Sequence, residues 1–233
     1  RKINNQIILD SGISFVRFIK KLFLLNKLSN MKSLVLIGSG GHCKSCIEII
    51  ENCKDYKIKG IIVKIGNNLE NFMNYKVLGN DDNLRECFEK NDSALICVGQ
   101  IKSPDKRIEL FDLLSEKQIE IATLISNSSI ISRNTKIGRG TVVMHNVIVN
   151  SGAVVGVNCI LNTSSLIEHD VKIGNHCHIS TGAIINGGVE IGDGCFIGSG
   201  SIIREGVKIG EKCIVSAGQI IMKDLQGKNK FKI

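Results

Sequence analysis

The sequence predicts a small parallel α/β unit followed by an all-β parallel helix built of short strands. Three observations carry this. An aliphatic residue recurs at every sixth position from Ile125 to Ile221, whereas residues 31–120 alternate strand-like and helix-like segments. The chain also holds 24 glycines and one proline, so its turns must be made by Gly and Asn. Aromatic residues make up only 4% of its 233 positions, which leaves the core to Ile, Val and Leu.

Residues 1–30 stand apart in charge. They carry six basic residues against Asp10 alone, so +5 of the net +8 lies there and +3 remains for residues 31–233. A body with that balance and few aromatics lacks the basic stripe of a nucleic-acid binder, and it suits small phosphorylated ligands. The segment SFVRFIKKLFLLNKLSN (14–30) is basic and apolar enough to lie on a membrane surface as an amphipathic helix. The chain opens on Arg1, however, and Met31 begins a conventional first strand, so residues 1–30 are expected to be an extension outside the functional unit. No apolar run reaches the roughly 18–20 residues that span a bilayer.

In residues 31–120, LVLIG (34–38) has the pattern of a buried strand and CKSCIEIIENC (43–53) that of a helix. YKIKGIIV (56–63) and SALICVG (93–99) are further strands; NLRECFEK (83–90) and DKRIELFDLLSEKQ (105–118) are further helices. Strands alternating with helices imply a parallel sheet. Between first strand and first helix lies GSGGH, residues 38–42, where backbone N–H groups and the helix dipole favour a phosphate.

Residues 121–224 keep a six-residue clock without insertion through seventeen aliphatic positions, Ile125, Ile131, Ile137 and onward to Val215 and Ile221. Two places before each is a small or short side chain, except at Gln219. A period of six fits neither an α-helix nor a long strand. It fits a parallel β-helix whose strands turn at fixed corners, with positions i and i−2 pointing inward. A second clock of eighteen, Ile137-Gly138 through Ile209-Gly210, makes three hexads one coil. Between five and six coils at about 4.8 Å spacing give a prism roughly 27 Å tall. Residues 225–233 form a tail.

Four of the nine cysteines, Cys159, Cys177, Cys195 and Cys213, are eighteen apart and form one column of that prism. Cys43 and Cys46 make a CxxC without the second pair a zinc site needs. Reduced thiols acting as small apolar fillers are the expected state. Three histidines, His169, His176 and His178, crowd into ten residues, with carboxylates around the first. By residue type they could be metal ligands, a general base with helpers, or a polar surface.

The combination of NTSSLIEHD (162–170), GNHCHIS (174–180) and LIGSGGH (36–42) resembles the NeuD/PglD family of bacterial sugar acetyltransferases over about residues 32–224. The resemblance implies a Rossmann-like nucleotide-sugar-binding unit (31–120) followed by a left-handed β-helix (121–224). It implies His169 as general base, Asp170 as the carboxylate orienting it, and His178 on the acetyl-CoA side. Asn162 would lie in the same cleft, and backbone near Gly187 and Ala217 would line the pantetheine groove. Gly38, Ser39, Gly40, Gly41 and His42 would approach the nucleotide phosphates, joined by Arg107. The family is trimeric, with clefts at subunit interfaces.

Two departures stand out. Family members commonly end the second strand with acidic residues that read the base, where this chain has Val63 and Lys64. The family's closing Gly-x-Pro-Ala loop has no counterpart in MKDLQGKNKFKI. The expectation is a cytoplasmic homotrimer with acetyl-CoA as co-substrate and no metal, N-acetylating a nucleotide-linked amino-dideoxy sugar for surface glycan synthesis. O-acetylation of a sialic acid is the alternative. Hexapeptide scaffolds without catalysis, and zinc-dependent carbonic anhydrases with three convergent histidines, are the readings from other classes. The Glu-His-Asp arrangement and the nucleotide-type first unit argue against the zinc reading.

Overall fold

The computed structural model describes residues 31–227 and the backbone of 230–231. The expectations for residues 1–30, the amphipathic helix included, lie outside the described residues. From Ser33 onward the described residues form one compact unit. No helix among them is long and apolar enough to cross a membrane.

The first region is a six-stranded sheet in the order β3-β4-β2-β1-β5-β6. Its strands are β1 (Lys32–Ile37), β2 (Tyr56–Val63), β3 (Asn71–Phe72), β4 (Tyr75–Asn80), β5 (Ser93–Ile96) and β6 (Glu120–Ile121). Helix α1 (Gly41–Cys53) and helix α2 (Asp105–Glu116) supply crossovers. Leu34, Val35, Leu36 and Ile37 are all buried, as expected of a strand covered on both faces.

Two segments differ from the sequence reading. The helix expected over 83–90 is instead a 3-10 segment, Asp81–Cys87, interrupted at Asn83. The Asn83 side chain accepts from the Asn80 N–H at 2.8 Å while Asn80 accepts from Asp82 at 2.9 Å, a capping box that fixes the start of the segment. The β3–β4 hairpin adds an antiparallel edge to the sheet. Its turn residues Met73 and Asn74 have φ of 47° and 67°, the conformation a two-residue hairpin requires, carried here without glycine.

From Leu124 the chain winds into a three-sided parallel prism of seventeen two-residue strands, β7 (Leu124–Ile125) to β23 (Ile220–Ile221). Each ends on one of the seventeen clock residues, and each of the first fourteen pairs in register with the strand eighteen positions on, as Val143 does with Leu161 and Ile173 with Ile191. The inward ladder from Val143 to Val215 is almost wholly buried, and each such side chain contributes about 1.5–3 kcal/mol of hydrophobic stabilisation. Ile125, in the first coil, keeps 38% of its surface exposed. The Ile-Gly clock has a steric cause. A Cβ on Gly156 would sit 2.6 Å from the carbonyl carbon of Gly174, so successive coils approach too closely for any side chain there.

The column of Cys159, Cys177, Cys195 and Cys213 is fully buried, and none of the nine cysteines forms a disulfide. Each of the first three directs its Sγ at a carbonyl of the next coil, as Cys177 does at Gly192 O, 3.1 Å away.

The outward residues give each face its own character. On face one, Leu124, Val142, Ile160 and His178 are buried beneath the α/β region. Face two presents Ile130, Ile148, Leu166, Ile184, Ile202 and Ile220, all aliphatic and none fully buried. Face three carries Lys136, Val154, Lys172, Glu190 and Lys208, with Glu190 held 3.0 Å from Lys172 and 3.4 Å from Lys208.

Candidate active site

The candidate residues fall into three groups. The first surrounds a cavity of about 640 Å³ at the carboxyl edge of the sheet, lined by Gly38, Ser39, Gly40, Gly41 and His42 together with Lys64, Asp81 and Lys106. Gly38 needs its glycine because φ is +116° and a Cβ would lie 3.2 Å from Cys97 backbone. Gly40 caps α1 with no side-chain partner for the first-turn N–H groups, which leaves them to a ligand. Asn67 Nδ2 donates to Ser39 Oγ at 3.3 Å and ties the loop after β2 across the glycine turn.

The second group lines an adjoining cavity of about 630 Å³ between the α/β region and face one, where His42 and Gly41 meet Asn162, His178, Gln100 and Met144. His178 Nδ1 donates to the Gln100 carbonyl. That carbonyl can only accept, so the proton is on Nδ1 and Nε2 is the acceptor of the Asn162 amide N–H, 3.2 Å away. Asn162 Oδ1 in turn accepts from Thr163 N at 2.8 Å. Burial pushes the His178 pKa down to about 4, so this imidazole is neutral near pH 7.

The third group occupies the edge between faces two and three. His169 Nδ1 lies 2.9 Å from Asp170 Oδ2, so in the neutral ring Nδ1 carries the proton and Nε2 the lone pair. Both side chains are exposed, at 65% and 72%. Glycines flank the dyad. A Cβ on Gly187, one coil on, would sit 2.7 Å from the His169 Cε1 and Nε2 atoms, and one on Gly152, one coil back, would collide with Asp170 Oδ1. Asp170 itself adopts φ of 60°, a left-handed corner in which a short carboxylate is tolerated.

Ala217 is separate, exposed at the edge between faces one and two, where Asn162 also lies. Within one chain the third group and the Asn162 edge therefore border face two from opposite sides.

Arg107 requires a correction, because it does not approach the phosphate cavity. It is 1% exposed and donates to Ile96 O (3.0 Å), Val98 O (2.7 Å), Asn158 O (3.1 Å) and Asn158 Oδ1 (2.6 Å). A guanidinium with four such acceptors is a latch joining β5 and α2 to the prism. His176 is likewise no surface residue. It is half-buried, 2.9 Å from Asn158 Nδ2 and edge-on to Phe111, and burial lowers its pKa.

Sequence reasoning missed Gln100, whose amide donates to His176 O at 2.9 Å while its own carbonyl orients His178. It also missed Asp81, which follows the unforeseen strand β4. Among the described residues, no three His, Cys, Asp or Glu side chains converge as a metal site.

Comparison with known proteins agrees with this architecture. Residues 33–114 match the PglD N-terminal domain, and residues 188–223 match the hexapeptide repeat of succinyl-transferase. No curated protein matches the chain by sequence. A histidine-to-asparagine variant of perosamine N-acetyltransferase from Caulobacter crescentus, solved with CoA and GDP-perosamine, is 27% identical with a TM-score of 0.79, covering 85% of this chain and 92% of that one. The acetyltransferase domain of PglB from Neisseria gonorrhoeae, solved with acetyl coenzyme A, is 25% identical with a TM-score of 0.77, covering 85% and 94%. WeeI from Acinetobacter baumannii shares the fold at 18% identity and a TM-score of 0.76, covering 85% and 95%. The chain thus has the Rossmann-like unit and left-handed parallel β-helix of PglD-type sugar acetyltransferases.

Proposed function

We propose that this chain, a PglD-type unit joined to a hexapeptide-repeat prism, transfers acetyl from acetyl-CoA to the amine of a nucleotide-linked amino-dideoxy sugar. The observation that carries the reading is the His169–Asp170 pair, 2.9 Å apart through Nδ1, with the imidazole side chain open to solvent. An amine attacking a thioester must lose a proton as the tetrahedral centre collapses, and an imidazole lone pair is suited to take it. Asp170, on the other ring nitrogen, fixes the tautomer and stabilises the imidazolium that forms. The glycine turn and the open first turn of α1 offer backbone N–H groups to a diphosphate.

The assembly proposed is a trimer closed through face two. Its aliphatic ladder from Ile130 to Ile220 is unlike the charged face three, and the two end residues are each 64% exposed. Packing of face two around a threefold axis would bring the His169 edge of one copy toward the Asn162 and Ala217 edge of the next. Base, nucleotide cavity and coenzyme groove would then share one cleft, and holding both substrates there would supply much of the acceleration.

The test is release of CoA thiol by the purified protein with acetyl-CoA and a panel of UDP-, GDP-, dTDP- and CMP-linked sugars plus free sialic acid. Release with a nucleotide-linked amino sugar supports the proposal. Release only with sialic acid moves the activity to O-acetylation, and no release with no acetyl-CoA binding overturns the enzymatic reading.

A further inference from the structure

We infer that Cys46 and Cys97 form a reversible thiol–disulfide site, oxidised by hydroperoxides, behind the wall of the cavity at the carboxyl edge of the sheet. This chemistry is separate from acetyl transfer and does not depend on it. Cys43 and Cys46, three positions apart on α1, share its buried face. Cys97 follows β5 directly, and its thiol is in hydrogen-bond contact with the thiols of both Cys43 and Cys46. All three residues are at most 1% exposed. The column cysteines of the prism turn their Sγ atoms to backbone carbonyls, as Cys159 does to Gly174 O at 3.1 Å. Cys46 instead faces an imidazole, its Sγ 3.7 Å from His42 Nε2.

Charge sets this cluster apart from a set of apolar fillers. The buried Arg107 guanidinium is met only by carbonyl and amide oxygens, all of them neutral. A buried cation without a counter-charge is costly. The groups that act on it as anions are the thiols of Cys159, Cys46 and Cys97. Cys159 is sealed inside the prism column, whereas Cys97 lines the cavity of about 640 Å³. The Cys97 contact, and then His42 and Arg107, hold the Cys46 thiol well below its ordinary range against the opposing pull of burial. Burial, with the neighbouring Cys43 and Cys46 thiols, holds Cys97 well above it. Cys46 is therefore the thiolate and Cys97 the thiol that donates to it.

A thiolate is the form of cysteine that attacks a peroxide. His42 and Cys97 both belong to the cavity lining, so a small hydroperoxide in the cavity stands one side chain away from Cys46. Attack of the Cys46 sulfur on the terminal oxygen forms an S–O bond and breaks the O–O bond. The departing alkoxide takes a proton from solvent, and Cys46 becomes a sulfenic acid. The Cys97 sulfur then attacks the Cys46 sulfur; the S–S bond forms, the S–O bond breaks, and hydroxide leaves as water with the Cys97 proton. Two thiols are oxidised by two electrons, and the hydroperoxide is reduced to an alcohol and water. Closing the bond draws the second turn of α1 toward the end of β5. His42, which lines both cavities, is carried with it.

The experiment is peptide mapping by mass spectrometry of the reduced full chain after exposure to hydrogen peroxide, with remaining thiols alkylated under denaturing conditions. Tryptic cleavage after Lys44, Lys90 and Lys102 places Cys43, Cys46 and Cys97 in separate peptides, and fragment ions distinguish Cys46 from Cys53. The expected product joins peptide 45–54 to peptide 91–102 through Cys46 and Cys97, and dithiothreitol releases it. Cys46→Ala should slow peroxide-dependent loss of the Cys97 thiol at least about tenfold, whereas Cys43→Ala should leave it within about threefold of wild type. Mapping of the wild-type chain decides the matter even if a variant folds poorly. A bridge between any other pair overturns the inference, as does equally fast oxidation of Cys97 in a folded Cys46→Ala variant. Retention of all nine free thiols under peroxide that oxidises glutathione in the same buffer also overturns it.

Discussion

The His169 imidazole packs against Gly187, so close that a single added methyl would sit 2.7 Å from two of its ring atoms. One coil of the prism therefore forms the seat for the base carried by the coil before it. Gly187→Ala must push the ring away from its present position, and displacements of about 1 Å at a reacting group cost on the order of 10²-fold in rate. We expect kcat to fall by about that factor, measured by steady-state thiol release.

Removing the base itself should be more severe. His169→Ala is expected to reduce kcat by about 10²–10⁴-fold, the range supplied by a positioned acid–base group. Asp170→Asn should lower it less, because the imidazolium formed during transfer loses its counter-charge. Circular dichroism melting should show both variants folded, since the dyad is exposed. Unchanged turnover in His169→Ala would remove the general-base assignment.

Arg107 should matter for folding more than for binding. Arg107→Met leaves the carbonyls of Ile96 and Asn158 buried without donors, which predicts a loss of about 3 kcal/mol or more in urea denaturation. Nucleotide affinity of the molecules that remain folded should stay within about threefold of wild type, a change below half of the tenfold unit of 1.4 kcal/mol. A loss of affinity without a loss of stability would return this residue to the phosphate site.

His178 predicts a pH dependence of stability. Its folded pKa is depressed from 6.5 to about 4 by burial, so the unfolded chain binds the proton more readily. Its contribution is therefore fully present above about pH 6.5 and is lost as pH falls toward 4, by about 3 kcal/mol. The slope of melting temperature against pH in this window should be shallower in His178→Gln than in wild type. Parallel slopes would contradict the neutral buried state.

The assembly is tested by charging face two. Ile184→Glu with Ile202→Glu should yield protomers in sedimentation velocity and abolish turnover, while nucleotide binding persists because that cavity is formed within one chain. Retention of a trimer would place its interface elsewhere.

The prism was legible in the sequence because its periodicity is imposed at every coil. Each sixth residue must be aliphatic and each Ile-Gly step must lack a side chain, so seventeen positions repeat one message. The Glu-His-Asp corner could be located on that clock alone, two residues past an inward Ile167. Arg107 could not be placed in the same way. Its acceptors include Asn158, fifty-one positions away, and nothing local separates an arginine that binds a phosphate from one that joins two regions. The β3–β4 hairpin was hidden by a Met73–Asn74 turn that lacks the usual glycine, and Asp81 was hidden with it.

The eighteen-residue coil also constrains how this half of the molecule can change in length. Each coil touches only the coils before and after it, so gain or loss of one whole coil leaves every later residue on its own face. Loss of six residues ahead of His178 would instead carry each later position round by one face, placing Glu190 and Lys208 on the aliphatic second face. Insertions in this region are therefore expected to come in multiples of eighteen, or to leave the column altogether as loops at its corners. The height of the prism is in this sense a counted quantity, and the chemistry at its edge depends on keeping the count.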